Sequence, residues 1–125
     1  MFKTNILLID DDAQLRGILH EFLSLHDYNV YNFDNGQAAL HHINTTQDTI
    51  DLVLSDICMP ILDGIQLAQE MKRSGQNIPI VFMTGYASTE QMKIALQLGV
   101  ATLNKPLNFQ KLTALINNLT LQNSM

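Results

Sequence analysis

Five short apolar runs alternate with segments of helical period along this chain, and that alternation limits the fold more than any other feature. The runs are NILLI (5–9), YNVYNF (28–33), DLVLS (51–55), IPIVFM (78–83) and VATLN (100–104). Most are continuously apolar, as strands covered on both faces require. The second is half polar and suits a sheet edge. Between the runs, Leu15, Ile18, Leu19 and Phe22 repeat at i, i+3, i+4, i+7, as do Leu112, Leu115, Ile116 and Leu119. Asp34 with Gln37, and Ser88 with Gln91, have the spacing of N-terminal capping boxes. Gly75 and Gly99 stand where helices would end. Strand followed by helix, five times over, predicts an α/β fold with a parallel sheet and helices on both faces.

The chain has 125 residues, 46 % of them hydrophobic and 15 % charged, which suits one well-packed domain. Residues 1–121 are expected to form it, with 122–125 a loose tail. The net charge of −5 and the scattered seven Lys and Arg leave no basic patch, so direct nucleic-acid binding is not expected. The single cysteine, Cys58, precludes an internal disulfide and suits a reducing compartment. No apolar run reaches membrane-spanning length, and the opening MFKTNILLIDDD lacks a cleavable signal. A cytoplasmic chain with no membrane association is expected.

In parallel sheets of this kind, ligands bind beyond the carboxyl ends of the strands. The first run ends at Asp10-Asp11-Asp12, the third at Ser55-Asp56, the fourth at Thr84-Gly85 and the fifth at Lys105-Pro106. The second ends in Asp34-Asn35-Gly36, a turn and cap. Each of these residues alone also occurs as a cap, a turn residue or a surface lysine. Together on one rim they supply carboxylates, a hydroxyl and an ammonium. Clustered carboxylates call for a cation, and hard oxygen ligands suit Mg²⁺. No Cys/His spacing suggests zinc. His20, His26, His41 and His42 fall on helical segments, where surface roles are expected. Asp56 can act as a nucleophile toward phosphorus, with Lys105 pairing a phosphoryl oxygen and Thr84 donating to another.

The segments ILLIDDDAQLR, DLVLSDICMPILDGIQL, IPIVFMTGYA and KPL resemble, in order and over nearly the whole chain, the receiver domain of two-component response regulators. SDICMPILDG is the most specific of them. The resemblance implies a doubly wound, flavodoxin-like, five-stranded parallel sheet of order 2-1-3-4-5. It implies that Asp56 is the phosphoacceptor and Asp11 a direct Mg²⁺ ligand, with Asp10 acting on the metal through water. It gives Cys58 a metal-binding role through its backbone carbonyl, Thr84 the role of switch hydroxyl and Lys105 that of phosphate partner. Pro106 is expected after a cis bond, and Asp12 and Asp63 as helix caps. The chain departs from the family at Thr102, where Tyr or Phe is usual, and at Asn104 and Leu107. The stretch from Gly99 to Lys105 is one residue shorter than usual. Tyr86 is expected near the site mouth.

The expected function is a phosphorylation-dependent signalling domain rather than an enzyme. A sensor histidine kinase or phosphotransfer protein would be the donor. A downstream protein, or an output domain outside this chain, would be the target. Two alternatives stand beside it. One is a protein-binding module that never takes phosphate, which the absent aromatic at 102 favours and the retained acids and lysine oppose. The other is a phosphohydrolase of the haloacid dehalogenase type. Asp10 and Asp12 match its D-x-D spacing, but Gln14 does not fit and SDICMPILDG goes unexplained.

Overall fold

Each apolar run forms a strand within two residues of its expected bounds. The computed structural model describes residues 3–124, with side-chain surroundings through residue 120. Strands β1 (Asn5–Ile9), β2 (Asn29–Phe33), β3 (Leu52–Asp56), β4 (Ile80–Thr84) and β5 (Ala101–Asn104) alternate with helices. These are α1 (Ala13–Leu25), α2 (Gly36–Thr45), α3 (Gly64–Arg73), α4 (Thr89–Leu98) and α5 (Phe109–Ser124). The strands are parallel in the order β2-β1-β3-β4-β5, as expected. Every residue of β3 and β4 is buried, while the half-polar β2 lies at an edge.

Side chains alternate across a strand, and this sheet sorts them into two cores. Ile6, Leu8, Leu52, Leu54, Val81 and Met83 face Leu19 and Leu23 of α1 and Leu112 and Ile116 of α5. Leu7, Ile9, Val53, Ile80 and Phe82 face α2, α3 and α4, through residues such as Ile43, Leu67 and Ala95. Burial on both sides explains why the strand sequences are continuously apolar.

Helix starts follow local chemistry. Asp12 caps α1, accepting from the backbone N–H groups of Gln14 and Leu15. Asp63 caps α3 in a reciprocal box: its side chain accepts from Gln66 N at 2.8 Å, and Gln66 Oε1 accepts from Asp63 N at 2.9 Å. Ser88 and Gln91 form the expected box on α4. The Asp34–Gln37 box does not form. Asn35 caps α2 instead, accepting from Ala38 N at 2.9 Å, while Asp34 accepts from the Asn35 side-chain amide. Asparagine caps as well as aspartate, so the helix begins one residue later at no loss. Asp63→Ala should cost about 1 kcal/mol, read as a lower urea midpoint with an unchanged m-value.

Gly75 follows α3 with φ 79°, as expected of a helix end. Gly99 ends α4 for a different reason. Its φ is −97°, but a Cβ there would lie 2.7 Å from the Phe82 ring and 2.9 Å from the Ile80 carbonyl oxygen. Helix α5 runs through residues 122–124, which the sequence placed in a loose tail; its closing LTLQNS contains no Gly or Pro to stop it. Met125 lies outside the described residues. Among the described residues, no helix is long and apolar enough to cross a membrane.

Candidate functional site

The sheet ladder continues one residue past several strands, and this holds the rim in place. Asp10 N donates to Phe33 O, Ile57 N to Met83 O and Lys105 N to Thr84 O. By alternation Asp10 follows Ile6 and Leu8, Asp56 follows Leu52 and Leu54, and Lys105 follows Ala101 and Leu103. All three therefore project on the α1/α5 side. Thr84 follows Ile80 and Phe82 and belongs to the other side.

The contacts agree. A hollow of about 280 Å³ is lined by Asp10, Asp11, Asp12, Asp56, Cys58, Gly85, Tyr86 and Lys105. Carboxylate oxygens of Asp10, Asp11 and Asp56 lie within 4.8 Å of one another. Lys105 Nζ donates to Asp10 Oδ2 and to Asp56 Oδ2, each at 3.0 Å. The Lys105–Pro106 bond is cis, as expected. Thr84 is buried but does not line the hollow; its Oγ1 accepts from Ala87 N at 3.0 Å. Tyr86 stands at the mouth, 95 % exposed. None of the four histidines lines the hollow.

Three carboxylates face one ammonium here. Burial pushes the Asp56 pKa above the ordinary carboxylate value, and the like charge of Asp10 adds to it. The Lys105 ammonium and the Cys58 backbone N–H oppose the rise without cancelling it. Burial alone would lower the Lys105 pKa, but its hydrogen bonds to Asp56 and Asp10 outweigh this and leave it raised. The Cys58 thiol is raised too, by desolvation and by the Asp56 and Asp63 carboxylates, so without a metal it stays protonated at neutral pH. Closely spaced carboxylate oxygens without a thiolate fit a hard divalent ion such as Mg²⁺.

Three further residues frame this site, and of these only Gly64, which closes the SDICMPILDG segment where a close backbone approach calls for glycine, carries a clear sequence signal. Arg16 reaches back from α1, its Nη1 donating to the Asp10 backbone oxygen at 2.6 Å. Buried Ser55 donates to the Asp56 backbone oxygen at 2.8 Å. Gly64 packs so closely under Asp56 that a Cβ would collide with the Asp56 carbonyl oxygen. An arginine one helical turn past an N-cap can reach backward over the turn, which is the one hint available for Arg16.

Comparison with known proteins agrees with this architecture. A family profile described as the response regulator receiver domain matches residues 6–117. The transcriptional regulatory protein FixJ of Bradyrhizobium diazoefficiens is 38 % identical over 117 residues, which cover 93 % of this chain and 56 % of FixJ. The chain thus spans about half the length of that relative. Sporulation initiation phosphotransferase F of Bacillus subtilis is 32 % identical over 102 residues, covering 82 % of this chain and 81 % of the relative. The crystal structure of full-length FixJ from B. japonicum superposes with a TM-score of 0.86 at 36 % identity, covering 98 % of this chain and 60 % of that one. With the strand order, the strand-end acids and the family match in agreement, this chain belongs to the response regulator receiver domain family.

Proposed function

We propose that this chain is a phosphorylation-controlled signalling domain. Asp56 accepts a phosphoryl group from a phosphohistidine donor, and the modified domain changes its affinity for a protein target. The observation that carries this reading is the meeting of the Asp10, Asp11 and Asp56 carboxylates with the Lys105 ammonium in one hollow.

In the proposed transfer, an Asp56 oxygen forms a bond to phosphorus as the phosphorus–nitrogen bond to the donor imidazole breaks. Asp11 and Asp56, with the Cys58 backbone carbonyl, would hold Mg²⁺ directly, and Asp10 would act through water. When bound, the ion neutralises charge on the transferring phosphoryl group. Lys105, already 3.0 Å from Asp56, turns to a phosphoryl oxygen. Thr84 exchanges its bond with Ala87 N for one to the phosphoryl group.

The donor on this reading is a sensor histidine kinase or a phosphotransfer protein in the cytoplasm. The target is a separate protein or an output domain beyond this chain. The test is incubation with Mg²⁺ and a small phosphodonor, followed by intact mass and peptide mapping. One phosphoryl group on Asp56, abolished by EDTA, is the expected result. Unchanged mass with an active donor would overturn the proposal. Label on Asp10 with steady turnover would mark a phosphohydrolase instead.

A further inference from the structure

Arg16 lies outside the hollow yet holds its frame. Its guanidinium spans the turn between β1 and α1 to reach the Asp10 carbonyl oxygen at 2.6 Å. Asp10 is wholly buried, with Oδ1 accepting from Asp12 N at 2.9 Å and Oδ2 from Lys105 at 3.0 Å. Asp12 is tied in turn to the first turn of α1. Asp11 sits between these two anchored residues, and its side chain makes no hydrogen bond among the described residues.

The choice of acceptor is informative. Three acid side chains lie close to Arg16 in sequence, and the guanidinium binds a peptide oxygen instead. A cation paired with those carboxylates would compete with a metal for the same oxygens. One bound to the carbonyl fixes the turn and adds no second cation beside Lys105, which leaves the Asp11 carboxylate open. We propose that Arg16 is a positioning residue for the Mg²⁺ site, holding the 10–12 turn so that the Asp11 carboxylate stays beside those of Asp10 and Asp56. This inference rests on the metal-site reading above.

Two effects of removing Arg16 oppose each other. Losing its positive charge favours a dication through space, but salt screens that gain. Losing the outer partner that orients a ligand typically weakens metal affinity by about 10–100-fold. At high salt the second effect dominates. The experiment is calorimetric titration of the full chain with Mg²⁺ alone in roughly 0.5 M KCl, where the Debye length is only a few ångströms. Wild type is compared with Arg16→Met, Arg16→Lys and Leu23→Ala, the last loosening α1 from the core without touching the turn.

Arg16→Met should bind Mg²⁺ at least about tenfold more weakly, and Arg16→Lys, which keeps the charge and one donor, should recover most of that loss. Leu23→Ala should melt earlier with unchanged Mg²⁺ affinity. If Arg16→Met does not fold, Arg16→Gln takes its place under the same criterion. Arg16→Met binding as wild type does, or Leu23→Ala weakening as much, overturns the inference alone. Wild type that takes up no Mg²⁺ overturns the metal-site reading and this inference with it.

Discussion

Asp56→Asn should accept no phosphoryl group and, in metal-free buffer, should melt at a higher temperature than the wild type. The first half follows from nucleophilicity: an amide is no substitute for the carboxylate oxygen proposed to attack phosphorus. The second follows from electrostatics. Burial and the Asp10 charge raise the Asp56 pKa in the folded state. A carboxylate raised on folding contributes stability that is fully present below its unfolded pKa and is lost as pH rises through its folded pKa. Once ionised, Asp56 is a charge that the fold disfavours, and the amide removes it.

The gain should show as a higher thermal midpoint of the variant in EDTA. It should be larger at pH 8 than at pH 4, near the ordinary carboxylate value, and should shrink on adding Mg²⁺, which stabilises the wild type more than the variant. Thermal melts in EDTA and in Mg²⁺ at both pH values measure this. A variant less stable than wild type at pH 8 without metal would contradict the electrostatic account. Phosphorylation persisting at another residue would contradict the assignment of Asp56.

The largest loss of stability should come from Phe82→Ala, at about 3–5 kcal/mol. Phe82 is wholly buried in the second strand from the edge, and its ring lies against Gly99. Set against total stabilities of about 5–15 kcal/mol, a loss of that size leaves many domains partly unfolded. Gly99→Ala should also destabilise, because its methyl would meet the ring. The two losses should not add. With the ring gone the methyl has room, although the Ile80 carbonyl still limits it, so the double variant should be more stable than the sum predicts. A coupling above about 0.5 kcal/mol in urea denaturation is the expected outcome, and strict additivity would show that the ring does not confine residue 99.

That pair bears on the family's missing aromatic. Phe82 is the register partner of half-buried Thr102, on the same face of the sheet. The layer under α4 is therefore already filled by a ring from the neighbouring strand and by the close approach of Gly99. A bulky residue at 102 would compete for that space.

The fold was legible because both faces of the sheet are covered, which turns strands such as LVLS and IVFM into unbroken apolar runs. The strand-end residues were legible because parallel strands deliver their last residues to one rim. What escaped depends on details of direction and reach. Asp34 and Asn35 cap equally well, so composition alone could not choose between them. Thr84 falls on the opposite sheet face from Asp56 because it follows Phe82 in alternation, and a rim position does not reveal that. Arg16 acts through a peptide oxygen, which has no side-chain signature. Ile61 adopts φ 71° while 76 % exposed, and nothing in a β-branched residue announces a left-handed backbone.

The division of the rim between the two sheet faces has a consequence for how a message leaves this domain. Lys105 answers to the layer built on α1 and α5, and Thr84 to the layer built on α4. A phosphoryl group on Asp56, as proposed, would draw on both residues and so pull on opposite sides of the molecule through separate levers. A partner that reads one side and a partner that reads the other can then be informed by the same bond without touching each other.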